Sequence, residues 1–150
     1  MARLVDLSKK PYNLNPSQIE WVESTIKGMT DEEKVGQLFT NLFFFGGDAF
    51  SGNNLSNKEI LEKYHIGGVR YMNGSPEDVQ GLINDLQSQT KIPLLVAANC
   101  DSGGDGAVKG GTYISSGAQS EASRDPWVPY HAGLVSAREE TALGVNVNFD

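Results

Sequence analysis

Asn99 and Asp101 are the residues of this chain best placed to act on a small molecule. They close an apolar run at residues 92–98 and are followed by Gly103, Gly104, Gly106, Gly110 and Gly111. An amide and a carboxylate make directional hydrogen bonds to a polar ligand. A short continuous apolar run reads as a buried parallel strand. Polar groups just past the carboxyl end of such a strand stand where α/β proteins keep their ligand sites. The glycines let the backbone bend close to whatever sits there. Asn and Asp at such a turn also cap loop amides, and on spacing alone that reading stays open.

Other candidate chemistry falls away on spacing. Gly104-Asp105-Gly106 lacks the third glycine of a dinucleotide fingerprint, because Lys109 stands there. No Walker-type phosphate loop occurs. Asp101 and Asp105 do not have the spacing of a calcium loop, and no metal ligands or cofactor are assigned. Cys100 is the sole cysteine and has no basic neighbour, so it reads as a small packing residue. His65 precedes the amino end of a strand and His131 falls inside a helix, so no catalytic residue is assigned. Glu139 and Glu140 read as a solvated helix face. Phe43, Phe44, Phe45 and Trp127 read as core, with Phe45 at a strand end where it could line a pocket.

The elements that position Asn99 and Asp101 alternate regularly. Residues 1–14 read as an extended arm. Asn15 caps a helix that starts with Pro16 and runs to Gly28, with Ile19, Val22 and Ile26 at helical spacing. Thr30 and Glu33 form a capping box, with Val35, Leu38 and Phe39 following on one face. A strand is expected at residues 42–45, closed by Gly46-Gly47, then a polar loop at residues 48–55. Ser56 and Glu59 open a helix to Tyr64, residues 66–72 form a strand, and Asn73-Gly74 turns. Ser75-Pro76 starts a helix with Val79, Leu82, Ile83 and Leu86 as its buried stripe. After the strand at residues 92–98, residues 102–126 read as loop. A helix at residues 127–143, with Leu134, Val135, Ala137 and Leu143 inward, leads to a strand at residues 145–149.

This alternation predicts an α/β fold with a parallel sheet. A closed eight-stranded barrel takes about 200 residues or more, so four strands suggest a small open sheet or the front part of a larger barrel. The net charge of −7 and a pI near 4.8 disfavour nucleic acid and anionic membranes as partners. The opening residues lack the apolar stretch of a secretory signal and no run is long enough to span a membrane. With a lone cysteine, a reducing, cytoplasmic setting is expected.

Several motifs in order resemble the family-three glycoside hydrolases. Residues 29–39, MTDEEKVGQLF, resemble the family's opening helix, and Ile66-Gly67-Gly68-Val69 its second strand. IPLLVAAN at residues 92–99, followed by DSGGDG and Gly110-Gly111-Thr112, resembles the third strand and substrate loop. ALGVNVNF at residues 142–149 resembles the entry to the fourth strand. The resemblance implies the first half of a TIM-like (β/α)8 barrel, with residues 15–150 as the amino-terminal part of a catalytic domain. It implies hydrolysis of terminal β-linked sugars with retention, of β-N-acetylhexosaminidase or β-glucosidase type. It places the nucleophilic aspartate and the histidine–aspartate acid/base beyond residue 150, so the 150 residues alone are expected to be inactive. It assigns substrate contact to Asn99, Asp101, Gly103 and Gly104: strand position favours Asn99 for the sugar-holding role, and chemistry favours Asp101. Asp105 and Lys109 stand nearby where many relatives carry an arginine after Gly-Gly. The terminal Phe149-Asp150 also departs from the family's usual alanine-proline.

Two alternatives accompany this reading. One is a non-catalytic α/β module that binds sugar or self-associates through an exposed sheet edge. The other is a nucleotide-binding domain, disfavoured by the missing phosphate motifs.

Overall fold

The computed structural model describes residues 5–43 and 55–149. Four parallel strands, β1 (Thr40–Phe43), β2 (Gly68–Tyr71), β3 (Leu95–Asn99) and β4 (Val147–Phe149), lie side by side in chain order. Among the described residues six α-helices accompany them: α1 (Pro16–Gly28), α2 (Asp31–Gly36), α3 (Asn57–Tyr64), α4 (Pro76–Ser88), α5 (Gly117–Ser123) and α6 (Trp127–Leu143). Sequential parallel strands joined by helices form an arc of the kind found in a (β/α)8 barrel.

Helix starts follow local side-chain chemistry. The side chains of Asn15, Thr30, Ser56 and Ser116 each accept from an N3 amide, and their own backbone amides donate to the side chains of Gln18, Glu33, Glu59 and Gln119. Bonds from the Ser56 amide and then its hydroxyl hold the Glu59 carboxyl below its usual 4.5. The arm before α1 is not fully extended, because Tyr12 and Asn13 donate to the Lys9 carbonyl and wind it into turns.

Period-two alternation sorts the strand residues onto two faces. Phe43, Val69, Tyr71, Val96 and Ala98 share one core with Ile60 and Leu61 of α3 and with Val79, Leu82, Ile83 and Leu86 of α4. Burying each large aliphatic side chain contributes roughly 1.5–3 kcal/mol. The opposite face carries Gly68, Arg70, Leu95, Ala97, Asn99 and Phe149, and no described helix covers it; Leu95 stays 56% exposed. Cys100, just past β3, turns back into the core, as a packing residue would.

Several boundaries differ from the sequence expectation. β3 begins at Leu95 because the Gln87 side chain occupies both backbone groups of Leu94, at 2.9 and 3.0 Å. β4 begins at Val147 because the Asn146 side chain accepts the Val96 amide at 2.8 Å, while its own amide donates to Val96. β1 is placed earlier than expected, and Phe44, Phe45, Gly46-Gly47 and the polar loop through residue 54 lie outside the described residues. Within the expected loop, Ser116 starts α5, whose sequence GAQSEAS has no apolar stripe to announce it.

Two predicted apolar faces are corrected. Val35, Leu38 and Phe39 are exposed, because α2 stops at Gly36 and the chain turns directly into β1. On α6 the buried residues are Ser136 and Glu140, while Val135 is exposed and Trp127 is 62% exposed rather than core. Ala137 is exposed as well, and of the expected inward set Leu143 packs partly against the core.

Gly36 lies flush against the end of α3, where a Cβ would stand 2.1 Å from the Tyr64 carbonyl oxygen. Gly36→Ala is expected to cost about 1–3 kcal/mol in chemical unfolding. Gly81, inside α4, has open space at its Cβ position, so Gly81→Ala should instead stabilise by about 0.5–1 kcal/mol. Unfolding curves that place both variants on the same side of the parent would contradict this packing.

Candidate active site

Arg70, at the end of β2, and Asn99, at the end of β3, meet on the uncovered face at its carboxyl edge. The Arg70 Nε–H donates to Asn99 Oδ1 at 2.9 Å. In the register Arg70 stands opposite Ala97, so Asn99 is its diagonal neighbour on the same face, within reach of a long side chain. Among the described residues nothing accepts from the Asn99 Nδ2 hydrogens, and no carboxylate pairs with Arg70.

Asp101 is brought to a different place. It lines a groove of about 1140 Å³ with Ile114, Ser115, Glu121, Arg124 and Pro129, between the loop after β3 and helices α5 and α6. The ambiguity between strand position and chemistry thus resolves into two locations, with Asn99 at the sheet mouth and Asp101 in the flanking groove.

Gly103 and Gly104 are buried beneath the loop rather than displayed on it. Gly103 has φ +89°, and a Cβ there would stand 2.6 Å from the Thr112 carbonyl oxygen. A Cβ on Gly104 would stand 1.8 Å from Glu139 Oε2, and one on Gly106 1.8 Å from the Asn99 carbonyl oxygen. Only residues without side chains allow this loop to fold tightly under Asn99.

Two sides of the sheet hold the loop down. From β2, the Tyr71 hydroxyl donates to the Ala107 carbonyl at 3.0 Å, Asn73 Nδ2 donates to the Asp105 carbonyl at 2.8 Å, and the Lys109 amide donates to the Gly74 carbonyl at 2.8 Å. From α6, Glu139 accepts the Thr112 amide at 2.8 Å on Oε2 and the Thr112 hydroxyl on Oε1. Glu140 is 6% exposed and accepts from Ser136 and from Asn148 of β4. The pair Glu139-Glu140 is therefore corrected from a solvated face to two anchors, one for the loop and one for β4.

Burial, and then the negative charges that Cys100 and Glu140 would carry, push the Tyr71 phenol well above its ordinary 10.0. It remains a donor to the loop across the physiological range.

His65 ends α3 in a left-handed conformation, with its carbonyl accepting from Gln37. His131 lies on α6 against Trp127 and Tyr130. Neither reaches the Arg70–Asn99 corner by any hydrogen bond. Among the described residues no group of His, Cys, Asp and Glu is arranged to hold a metal ion, and no helix is long and apolar enough to cross a membrane.

Residues 30–150 match the model of the glycosyl hydrolase family 3 N-terminal domain. The chain belongs to glycosyl hydrolase family 3. A relative from Cellulomonas fimi, described as a beta-N-acetylglucosaminidase/beta-glucosidase, is 30% identical over 146 residues, covering 97% of this chain and 25% of the relative. The solved structure of beta-glucoside phosphorylase BglX bound to 2FGlc superposes with a TM-score of 0.83 at 33% identity, over 96% of this chain and 25% of that one. A second structure of beta-glucoside phosphorylase BglX gives 0.81 at 33% identity, over 96% of this chain and 24% of that one. The chain thus spans about a quarter of the length of these relatives. The four-strand arc is the α/β arrangement of the family's TIM-like domain.

The sequence reading missed Arg70, Tyr71 and Asn73 as supports of the site. Arg70 did carry a signal, as a charged residue in an otherwise apolar strand on the same alternation as Gly68.

Removing the Glu139 anchor should loosen the loop without unfolding the sheet. Glu139→Ala is expected to speed exchange of the Thr112 amide hydrogen about tenfold while amides of β3 stay protected; unchanged exchange at Thr112 would remove Glu139 from this role. The raised Tyr71 pKa stabilises the fold fully below pH 10.0, and that contribution is lost as pH climbs toward the folded-state value. Tyr71→Phe, which strands the Ala107 carbonyl, should cost about 1–3 kcal/mol at neutral pH and flatten the fall in stability above about pH 10. A variant as pH-sensitive as the parent in alkaline urea titrations would show that Tyr71 does not contribute.

Proposed function

We propose that the protein cleaves terminal β-linked sugars and that this chain holds the terminal sugar. The observation that carries the reading is Asn99 at the carboxyl edge of the uncovered face, its carboxamide oxygen held by Arg70 and its amide hydrogens without a partner among the described residues. A parallel barrel keeps its ligand at this edge. Asn99 would bond the sugar's hydroxyls, Asp101 would approach from the flanking groove, and Gly103 and Gly104 would shape the loop between them.

Bond cleavage with retention needs a nucleophile and an acid/base on opposite sides of the glycosidic bond, about 5–5.5 Å apart when both are carboxyls. The family resemblance places both beyond residue 150, and this chain supplies recognition. The relatives point to glucosides and N-acetylglucosaminides as substrates, with hydrolysis as the first reading. A second reading, transfer of the sugar to phosphate rather than water, is favoured by the likeness to a beta-glucoside phosphorylase.

Aryl β-glucoside and aryl β-N-acetylglucosaminide offered to the full-length protein, with and without inorganic phosphate, separate these outcomes. Free sugar marks hydrolysis and sugar 1-phosphate marks phosphorolysis. Asn99→Ala should lower kcat/KM roughly 10–100-fold, the loss expected for a polar group that holds substrate. Undiminished turnover in both Asn99→Ala and Asp101→Ala would overturn the site.

A further inference from the structure

The polarity of the Arg70–Asn99 pair carries an inference beyond the general sugar site. An amide side chain has an acceptor on one side and a donor on the other. Arg70 Nε takes one lone pair of the acceptor, Oδ1, at 2.9 Å. The Nδ2 hydrogens are the part of Asn99 with no partner at all among the described residues. Arg70 adds its terminal guanidinium N–H groups, which among the described residues have no partner. A guanidinium has no acceptor and stays protonated. Its register partners on the same face are Leu42 on β1 and Ala97 on β3, so on the side toward Asn99 only a small residue stands beside it.

We propose that Arg70 is the positioning residue that fixes the hydrogen-bonding sense of this corner, so that the mouth between β2 and β3 presents chiefly donors and recognises a sugar oxygen through its lone pair. A carboxylate at position 99 would act in the opposite sense. It would bridge to Arg70, neutralise it, and present a bare oxygen that requires a donating hydroxyl. With Asn99 the guanidinium charge remains uncompensated and the ligand group must accept. The inference rests on the sugar-binding reading above and adds which half of the hydroxyl is read.

Fluorine in place of a hydroxyl can accept weakly and cannot donate, while hydrogen in its place does neither. Competition against aryl glycoside turnover by the full-length protein therefore tests the sense directly, using glucose and its 4-deoxy-4-fluoro, 4-deoxy, 6-deoxy-6-fluoro and 6-deoxy analogues. At the position held by this corner, the fluoro sugar should inhibit about fivefold better than the matching deoxy sugar, the ratio expected for one retained hydrogen bond. Arg70→Met should reduce that ratio to within about twofold, and Arg70→Lys, which keeps the charge without the planar fork, should narrow it as well. Asn99→Asp should abolish or reverse it. The ratio within one variant does not depend on how much of that variant is folded, so a merely structural role for Arg70 would leave it unmoved.

If glucose competes but fluoro and deoxy sugars are equal at both positions, or if both Arg70 variants keep the parental ratio, this inference fails and the sugar site stands. If neither glucose nor N-acetylglucosamine competes, the sugar-binding reading fails and the inference falls with it.

Discussion

The structure depends on the two-sidedness of a parallel sheet whose described helices pack on one face. Strand alternation leaves no freedom within a strand. If Val96 and Ala98 enter the core with α3 and α4, Leu95, Ala97 and Asn99 must face the other way. The same rule sends Tyr71 inward and Arg70 outward on β2. A slip of one residue in β2 would bury the guanidinium and expose the phenol, and one in β3 would turn Asn99 inward and Val96 and Ala98 outward, which the core on the helix side forbids. The site is thus a consequence of where the apolar residues go.

The loop after β3 extends that constraint past the end of the sheet. Its backbone folds back beneath Asn99, close enough that the Gly106 position leaves no room for a side chain beside the Asn99 carbonyl. The loop seats Ala107 and Val108 in the core, and hydrogen bonds from the surrounding elements hold the rest of its backbone. Tyr71 grips it from β2, Asn73 from the turn after β2, and Glu139 from α6. A charged acceptor serving both the amide and hydroxyl of Thr112 is worth more than a neutral one.

Much of this was legible in the sequence, and what was not has identifiable causes. The α4 stripe of Val79, Leu82, Ile83 and Leu86 gave its buried face directly, because apolar periodicity and tertiary burial agree there. The capping boxes at Thr30 and Ser56 marked helix starts for the same reason. Helix α6 misled because its buried positions are polar. Ser136 and Glu140 satisfy each other and Asn148, so burial there follows hydrogen bonding rather than hydropathy. The sheet mouth was legible as a place, since Asn99 ends an apolar run. Its polarity was not, because the sense of an amide is decided by a residue on the neighbouring strand, 29 positions away. Spacing within one segment cannot report that partner.

The central claim is that the terminal sugar sits at the carboxyl edge of the uncovered face, held by Asn99. A crystal structure of the full-length protein with glucose bound tests it most directly. The account predicts a sugar oxygen within about 3.2 Å of Asn99 Nδ2 while Arg70 keeps its bond to Oδ1. A sugar bound elsewhere, or an Asn99 amide turned away from it, would contradict the account.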